Sequence, residues 1–526
     1  MGRFADALGR GEFVVTCELI PGRGHSGKGV ESITRFVDGI QGYPAVHALS
    51  LTDNAGGNPA LSADVLGAEI MSRGMDIIVH FSMKDMSRNF IESRAFALQR
   101  LGVSNLLVVT GDYPAAGFLG LSKPVFDLDS VTALHYLSRM NEGLTVSTSK
   151  GASRLEKTTF FLGAAVSPFK WTEGPCVMQY TKLAKKIRAG ARFAITQLGW
   201  DSRKHLELIQ YARAVIGSDI PLLGSVYVLT AGAAEVMNRG EVPGCYVTDQ
   251  MLAMVRAEAG AEDKGKAARL ERAARQMAIL KGLGYAGAHI EGLSLKPDDV
   301  RAIVDRAAEI GPKWQEHFGE LAFAPANPYY YFEGGERPRV PTAREPLVAR
   351  DTGRGRVANP SFWIMRALHH VFFTRATAGF RLMARIARFS DKRRGLARMV
   401  ASVEHSVKGA FFGCRKCDDC AAFETAYVCP EGRCPKGMRN GPCGGSRVNE
   451  RCEVFPDRSC AWRDIYWRAK NRGEVKNLGY IIPPRDWKLY DTGSWANYFL
   501  DRDHSAHPLE VGGTTKEGAT TKGAGR

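Results

Sequence analysis

Between residues 13 and 310 the chain repeats one pattern, a short apolar run followed by a longer stretch with helical spacing of its apolar positions. The apolar runs are 13–20 (FVVTCELI), 46–52 (VHALSLT), 76–81 (DIIVHF), 105–110 (NLLVVT), 158–165 (TTFFLGAA), 193–197 (FAITQ), 221–226 (PLLGSV) and 286–290 (AGAHI). Helical spacing falls at 30–39, 60–73, 88–101, 131–141, 180–189, 205–216, 251–283 and 297–309. Strands that are apolar almost throughout, each followed by a helix, belong to a parallel sheet covered on both faces. Eight such units in a row predict a closed (β/α)8 TIM barrel rather than an open doubly wound sheet. No G-x-G-x-x-G follows the first run, which also argues against a dinucleotide-binding Rossmann unit.

A barrel of this kind carries its chemistry at the carboxyl ends of its strands. The polar residues there are Glu18 in strand 1, Thr52 and Asp53 after strand 2, His80 in strand 3, Asp112 after strand 4, Gln197 ending strand 6, and His289 and Glu291 at strand 8. Each has an ordinary structural explanation: a salt bridge for Glu18, a turn cap for Asp112, hydrogen-bond networks for His80 and Gln197. The signal is their shared placement at the ends of apolar runs.

The chain has eleven cysteines, and eight fall between 414 and 460: Cys414, Cys417, Cys420, Cys429, Cys434, Cys443, Cys452 and Cys460. Thiols this dense ligate a metal or form disulfides. No apolar leader opens the chain (MGRFADALGRGEF), so the expected compartment is the cytoplasm, where metal ligation wins over disulfides. Eight thiols suit two four-thiolate sites, and Cys434, Cys443, Cys452 and Cys460 make one candidate set, although interleaved sets remain open. Cys429-Pro430 resembles the end of ferredoxin-type runs, which favours [4Fe–4S] clusters over zinc. Cys17, Cys176 and Cys245 read as core or surface thiols without a functional role.

The net charge is +16, and residues 360–410 supply half of it, with ten Lys or Arg against two acids. No aromatic interleaving or nucleic-acid motif accompanies this run, so nucleic acid is excluded in favour of a basic helical face for an acidic redox partner or a membrane surface. No apolar run is long enough to predict a membrane span. The expected organisation is a barrel at 1–320, a Pro/Gly/Arg-rich connector at 321–359 lying over it, a smaller helical and cysteine-rich metal-binding domain at 360–500, and a disordered tail at 501–526. Tyr329, Tyr330 and Tyr331 read as packing residues of the connector.

The barrel motifs resemble the methylenetetrahydrofolate reductase family. The residues that carry the resemblance are CELIPGRG, LSLTDN, VHFSMKD, LLVVTGDYP, LGAAVSP and KKIRAGARFAITQ, in family order on successive strands from about 12 to 310. The stretch holding CxxCxxC, CPK, NGPCGG, CEV and CAW is similar to the cysteine-rich domain that accompanies some of these reductases, fused or as a separate subunit.

The resemblance implies an FAD-dependent reduction of 5,10-methylenetetrahydrofolate to 5-methyltetrahydrofolate, serving one-carbon and methionine metabolism and reversible in principle. It casts Glu18 as the general acid, its pKa raised by an apolar strand, and Asp112 as the group that stabilises the cationic iminium and holds the pterin. Gln197 would bind the pterin edge, and Thr52, His80, Ala165 and Lys186 would contact the flavin. The chain departs from the family pattern at Thr110, Val166, Ser167, Gln179 and 198–200 (LGW). These positions belong to the flavin and to the face where nicotinamide or pterin stacks, so a ferredoxin-like donor feeding a cluster stands beside NAD(P)H as the electron source. The same sequence leaves open an electron-transfer or assembly subunit, a zinc-thiolate methyl-transfer module and a homo-oligomer.

Overall fold

The structure is a computed structural model and describes residues 2–293, 295–333, 347–350, 352–353 and 360–511. Eight parallel strands close into a barrel: β1 Val14–Leu19, β2 Val46–Leu51, β3 Ile77–Ser82, β4 Asn105–Val109, β5 Phe161–Val166, β6 Phe193–Thr196, β7 Leu222–Tyr227 and β8 Gly287–Glu291. They are hydrogen-bonded in chain order, and β8 returns to β1 with Thr16 opposite His289. The strands are buried almost residue for residue, as their unbroken apolar runs require. At the amino-terminal end the helix Arg3–Gly9 plugs the barrel, with Phe4 edge-on to Phe193 at 5.1 Å between ring centroids. That end is filled with apolar side chains, so the opposite mouth is left for polar ones.

The helical expectation at 251–283 is corrected in one respect. The stretch forms two helices, Asp249–Glu258 and Lys266–Leu283, broken where Lys264 and Gly265 take left-handed φ values of 56° and 72°. A surface hairpin pairing Thr145–Thr148 with Gly151–Arg154 was not apparent from the apolar pattern, because its residues are mostly exposed.

Beyond the barrel, Tyr329 and Tyr330 are buried on its outer helices. Tyr330 donates to Asp201 at 3.0 Å, and the Arg203 guanidinium lies 3.8 Å from its ring centroid. Most of the expected connector, 334–346, 351 and 354–359, lies outside the described residues. Three helices follow, Pro360–Phe372, Ala378–Asp391 and Arg394–Phe412, and then the cysteine-rich stretch. Its helix Ala461–Lys470 packs on the barrel helix Glu173–Arg188, where Tyr466 and Lys470 both bind Glu173.

Residues 501–511, expected to open a disordered tail, are folded. His504 and Asp503 are buried, Arg502 pairs with Asp391 and Arg375 with Asp501, and the His504 imidazole bonds Asp419 at 2.5 Å. Residues 512–526 lie outside the described residues. Among the described residues no helix is long and apolar enough to cross a membrane.

Candidate active site and thiol centres

Strand direction brings the polar residues of β1, β2, β3, β7 and β8 to one mouth. Ligand-capable atoms of Glu18, His80 and His289 all lie within 4.8 Å of one another. His289 Nδ1 is held by Thr16 Oγ1 at 2.7 Å, which aims Nε2 at Glu18 Oε2, 3.9 Å away, and at Glu291 Oε1, 3.8 Å away. His80 Nε2 meets Ser50 Oγ at 2.9 Å.

The charge states differ from the sequence expectation. Burial alone would raise the Glu18 carboxyl, but the nearby His289 imidazolium outweighs it and leaves its pKa below the ordinary value. Burial lowers His289, yet its two carboxyl neighbours raise it on balance. Burial pushes His80 down to about 4, so it is neutral. The carboxyl held up is Glu291, pushed to about 7 by burial and by the Glu18 charge. The expectation that an apolar strand keeps Glu18 protonated therefore fails, because β8 places an imidazole beside it.

Asp112 lies on the loop after β4, where its carboxylate accepts from Gly56 N at 2.8 Å. Burial raises its pKa, partly offset by Lys436. The loop fits because Gly111 has φ +85° and no side chain: a Cβ there would meet Ser82 Oγ at 2.2 Å. Gln197 follows β6 and turns its Oε1 back onto the Leu198 amide at 2.9 Å. The thiol of Cys245 feels Glu291, Lys170, Asp112 and Glu18, so the loop after β7 crosses the mouth between the β1, β4 and β8 ends.

A flavin needs polar partners for its ring edge and phosphates, and the mouth has unspent ones. Thr52 Oγ1, Ser82 Oγ, Ser167 Oγ and Gln179 Nε2 are buried without a hydrogen-bond partner among the described residues. Lys186 Nζ is buried and donates to the Ala165 carbonyl at 2.6 Å, so these two expected contacts are adjacent. Arg94 anchors the neighbouring β2 loop, binding Asp53 at 2.6 Å and Asp64 at 2.7 Å. This donor set suits a flavin.

The cysteine-rich stretch reaches the same mouth. Lys182 Nζ donates to the carbonyls of Gly441 and Pro442 at 3.4 and 3.0 Å, and Lys170 Nζ to that of Ser446 at 2.8 Å. A Cβ on Gly444 would lie 3.9 Å from both Gln179 Nε2 and Ser167 Cβ. Two of the departures from the family pattern thus face the NGPCGG loop. Lys436 pairs with Glu453 and donates to the Gly111 carbonyl at 2.8 Å, beside Asp112. Lys170, Lys182, Lys436 and Glu453 were not picked out as site residues from the sequence. Only the CPK and CEV motifs that contain the last two marked them, and there the cysteines drew the attention.

The eight thiols divide along the chain. Cys434, Cys443, Cys452 and Cys460 line one small recess together with Lys436 and Glu453. Cys414, Cys417, Cys420 and Cys429 form the other neighbourhood, with Cys420 lying near each of Cys414, Cys417 and Cys429. Left-handed turns at Lys416 and Asp418 (φ 55° and 56°) curl the CRKCDDC loop, and Gly432 N donates to Cys429 Sγ at 3.3 Å. Burial pushes Cys417, Cys429 and Cys460 up to about 12 and Cys443 well above its ordinary value. Gathered thiols that burial keeps protonated are suited to a metal, which replaces their protons. Cys17, Cys176 and Cys245 are buried, in keeping with core thiols.

A family model for methylenetetrahydrofolate reductase matches residues 3–306, and one for the methylene-tetrahydrofolate reductase C terminal matches 394–488. No curated protein matches the chain. Among solved structures, the chain is similar to an uncharacterized protein from Clostridium thermocellum that binds two copies of 5-methyl-5,6,7,8-tetrahydrofolic acid. The identity is 12%, covering 59% of this chain and 99% of that one, with a TM-score of 0.42. It is also similar to an EDTA monooxygenase from Chelativorans sp. BNC1, at 13% identity over 60% of this chain and 99% of that one, with a TM-score of 0.36. Likenesses at this level bear on neither substrate nor cofactor.

Proposed function

The chain belongs to the methylenetetrahydrofolate reductase family, and from that premise we propose that it interconverts 5,10-methylenetetrahydrofolate and 5-methyltetrahydrofolate with a bound flavin. The observation that carries this reading is the gathering of Glu18 with His80 and His289 at the barrel mouth, to which Asp112 and Gln197 belong by strand direction.

A bound flavin, FAD by family resemblance, would supply a hydride to the methylene carbon that bridges N5 and N10 in the substrate. Thr52, His80, Ala165 and Lys186 would hold it, with the unspent hydroxyls and amide of Ser82, Ser167 and Gln179 available beside them. Glu18 delivers the proton that opens the five-membered ring at N10, leaving a cationic iminium. Asp112 offers that cation a carboxylate, and the Gln197 amide meets the pterin edge. Because Glu18 is held low in the free protein, its proton must come from its neighbours rather than from a permanently raised pKa.

Each four-thiol set would hold one metal centre. An iron–sulfur cluster there would supply single electrons, which a flavin can combine into a pair. The approach of Gly444 to Ser167 and Gln179 supports the reading that one centre serves the mouth directly. The donor would then be a ferredoxin-like protein or NAD(P)H.

Protein purified without oxygen tests this reading. The expected result is bound flavin, thiolate-bound metal and formation of 5-methyltetrahydrofolate from the methylene substrate. Protein loaded with flavin that neither reduces the methylene folate nor oxidises the methyl folate would overturn it. Zinc in place of iron would remove the electron relay and leave the folate chemistry standing.

A further inference from the structure

We propose that Glu291 is a second acid of the barrel mouth, the store from which His289 restocks Glu18 with a proton. The inference rests on the reading of Glu18 as the proton donor to the folate.

Ser225 on β7 sits between two oxygen partners. Its hydroxyl has one hydrogen, and Oγ donates to the Thr196 carbonyl at 2.6 Å, a group that can only accept. Glu291 Oε1 lies 2.5 Å from the same Oγ. With the serine hydrogen spent on Thr196, the short contact is a hydrogen bond only if Glu291 carries a hydrogen and gives it to Ser225. The local bonding thus calls for a protonated carboxyl, buried at the end of β8.

The second observation is where that carboxyl points. Glu291 Oε1 lies 3.8 Å from His289 Nε2, and the same nitrogen faces Glu18 Oε2 at 3.9 Å. Thr16 fixes the ring from its other nitrogen at 2.7 Å. One imidazole nitrogen therefore lies between two carboxyls of unlike protonation. These separations exceed hydrogen-bond length in the free protein and have to close by about 1 Å for transfer.

The proton count balances without any electron changing hands. The His289 imidazolium passes its Nε2 proton to the Glu18 carboxylate and becomes neutral. Glu18 gives that proton to the substrate nitrogen and returns to the carboxylate. Nε2 then accepts the Glu291 proton, and Glu291 is reprotonated from solvent before the next turnover.

The surrounding groups allow this. Glu291 faces Glu18 on β1, His289 on its own strand and Ser225 and Tyr227 on β7, with the Cys245 thiol from the loop after β7. Burial pushes Tyr227 up to about 12 and raises Cys245, so both stay neutral. On the far side of Glu18, His80 is neutral and Asp53 is tied to Arg94. Burial and the Glu18 charge raise Glu291 to about 7.

The test compares wild-type protein with Glu291→Gln, whose amide keeps the shape and can still donate to Ser225. Infrared difference spectra between about pH 5 and pH 9 should show a protonated-carboxyl band that titrates out near 7 and is missing in the variant. In rapid kinetics, Glu291→Gln should slow folate reduction roughly tenfold to a hundredfold and flatten its pH dependence near neutrality, with flavin reduction unchanged. A band that persists in the variant, its absence from the wild type, or an unaltered pH profile would overturn the proposal. If the wild type handles no folate, the functional reading falls, while the infrared titration still decides the state of Glu291.

Discussion

Lys436 Nζ donates to the Gly111 carbonyl at 2.8 Å, a bond that ties the cysteine-rich stretch to the loop carrying Asp112. The same ammonium pairs with Glu453, whose Oε1 is 3.2 Å from Cys443 Sγ. A thiol of one four-cysteine set is thus connected through two buried charged side chains to the mouth of the barrel.

Removing this link should be felt on both sides. Lys436→Met leaves Glu453 buried without its cation, a loss of roughly 3 kcal/mol. The denaturation midpoint should fall accordingly and folate turnover with it, and Lys436→Arg should restore part of both. A midpoint within error of the wild type would show that the bond holds nothing in place.

The division of the thiols predicts metal stoichiometry. Cys443→Ser should remove the metal of the 434–460 set and leave that of the 414–429 set, so that content falls by about half. Hydrogen exchange should then quicken at residues 441–445, where Gly441 and Pro442 accept from Lys182. Loss of all metal in this variant would point to interleaved ligand sets.

Arg94 neutralises two carboxylates of the β2 loop, Asp53 and Asp64, while 8% exposed. Arg94→Met should cost roughly 3 kcal/mol and, because Thr52 precedes Asp53, loosen flavin binding. Calorimetric titration with flavin checks the second point, and unchanged affinity would separate Thr52 from the flavin.

The folded segment at 501–511 gives a pH dependence. Burial would lower His504, but hydrogen bonds to Asp419 and Glu424 raise it to about 9. A raised pKa stabilises the fold fully below the unfolded value of about 6.5 and progressively less as pH rises towards 9. The full effect is about 3 kcal/mol. Thermal melting should drop across that window in the wild type and much less in His504→Gln. Equal slopes would place the transition elsewhere.

The barrel was legible because its strands are buried on both faces and read as unbroken apolar runs, each returning a strand within three residues of its place. Glu18, Asp112 and Gln197 were legible by position for the same reason. What a linear reading could not supply was proximity across the chain. The sequence places Glu18 in an apolar strand and so suggests a raised pKa, whereas His289, on a strand some 270 residues away, decides the opposite. The approach of the NGPCGG loop to Ser167 and Gln179 is another long-range event, with no periodicity to announce it. The break near Gly265 escaped notice because the helical pattern is strong on both sides of it.

The central claim is that Glu18 supplies the proton on which folate reduction depends. Stopped-flow measurement of the two half-reactions in Glu18→Gln tests it most directly. Flavin reduction by its donor should stay within about twofold of wild type, while reoxidation by 5,10-methylenetetrahydrofolate should fall by at least about a hundredfold. Reoxidation at the wild-type rate would contradict the account.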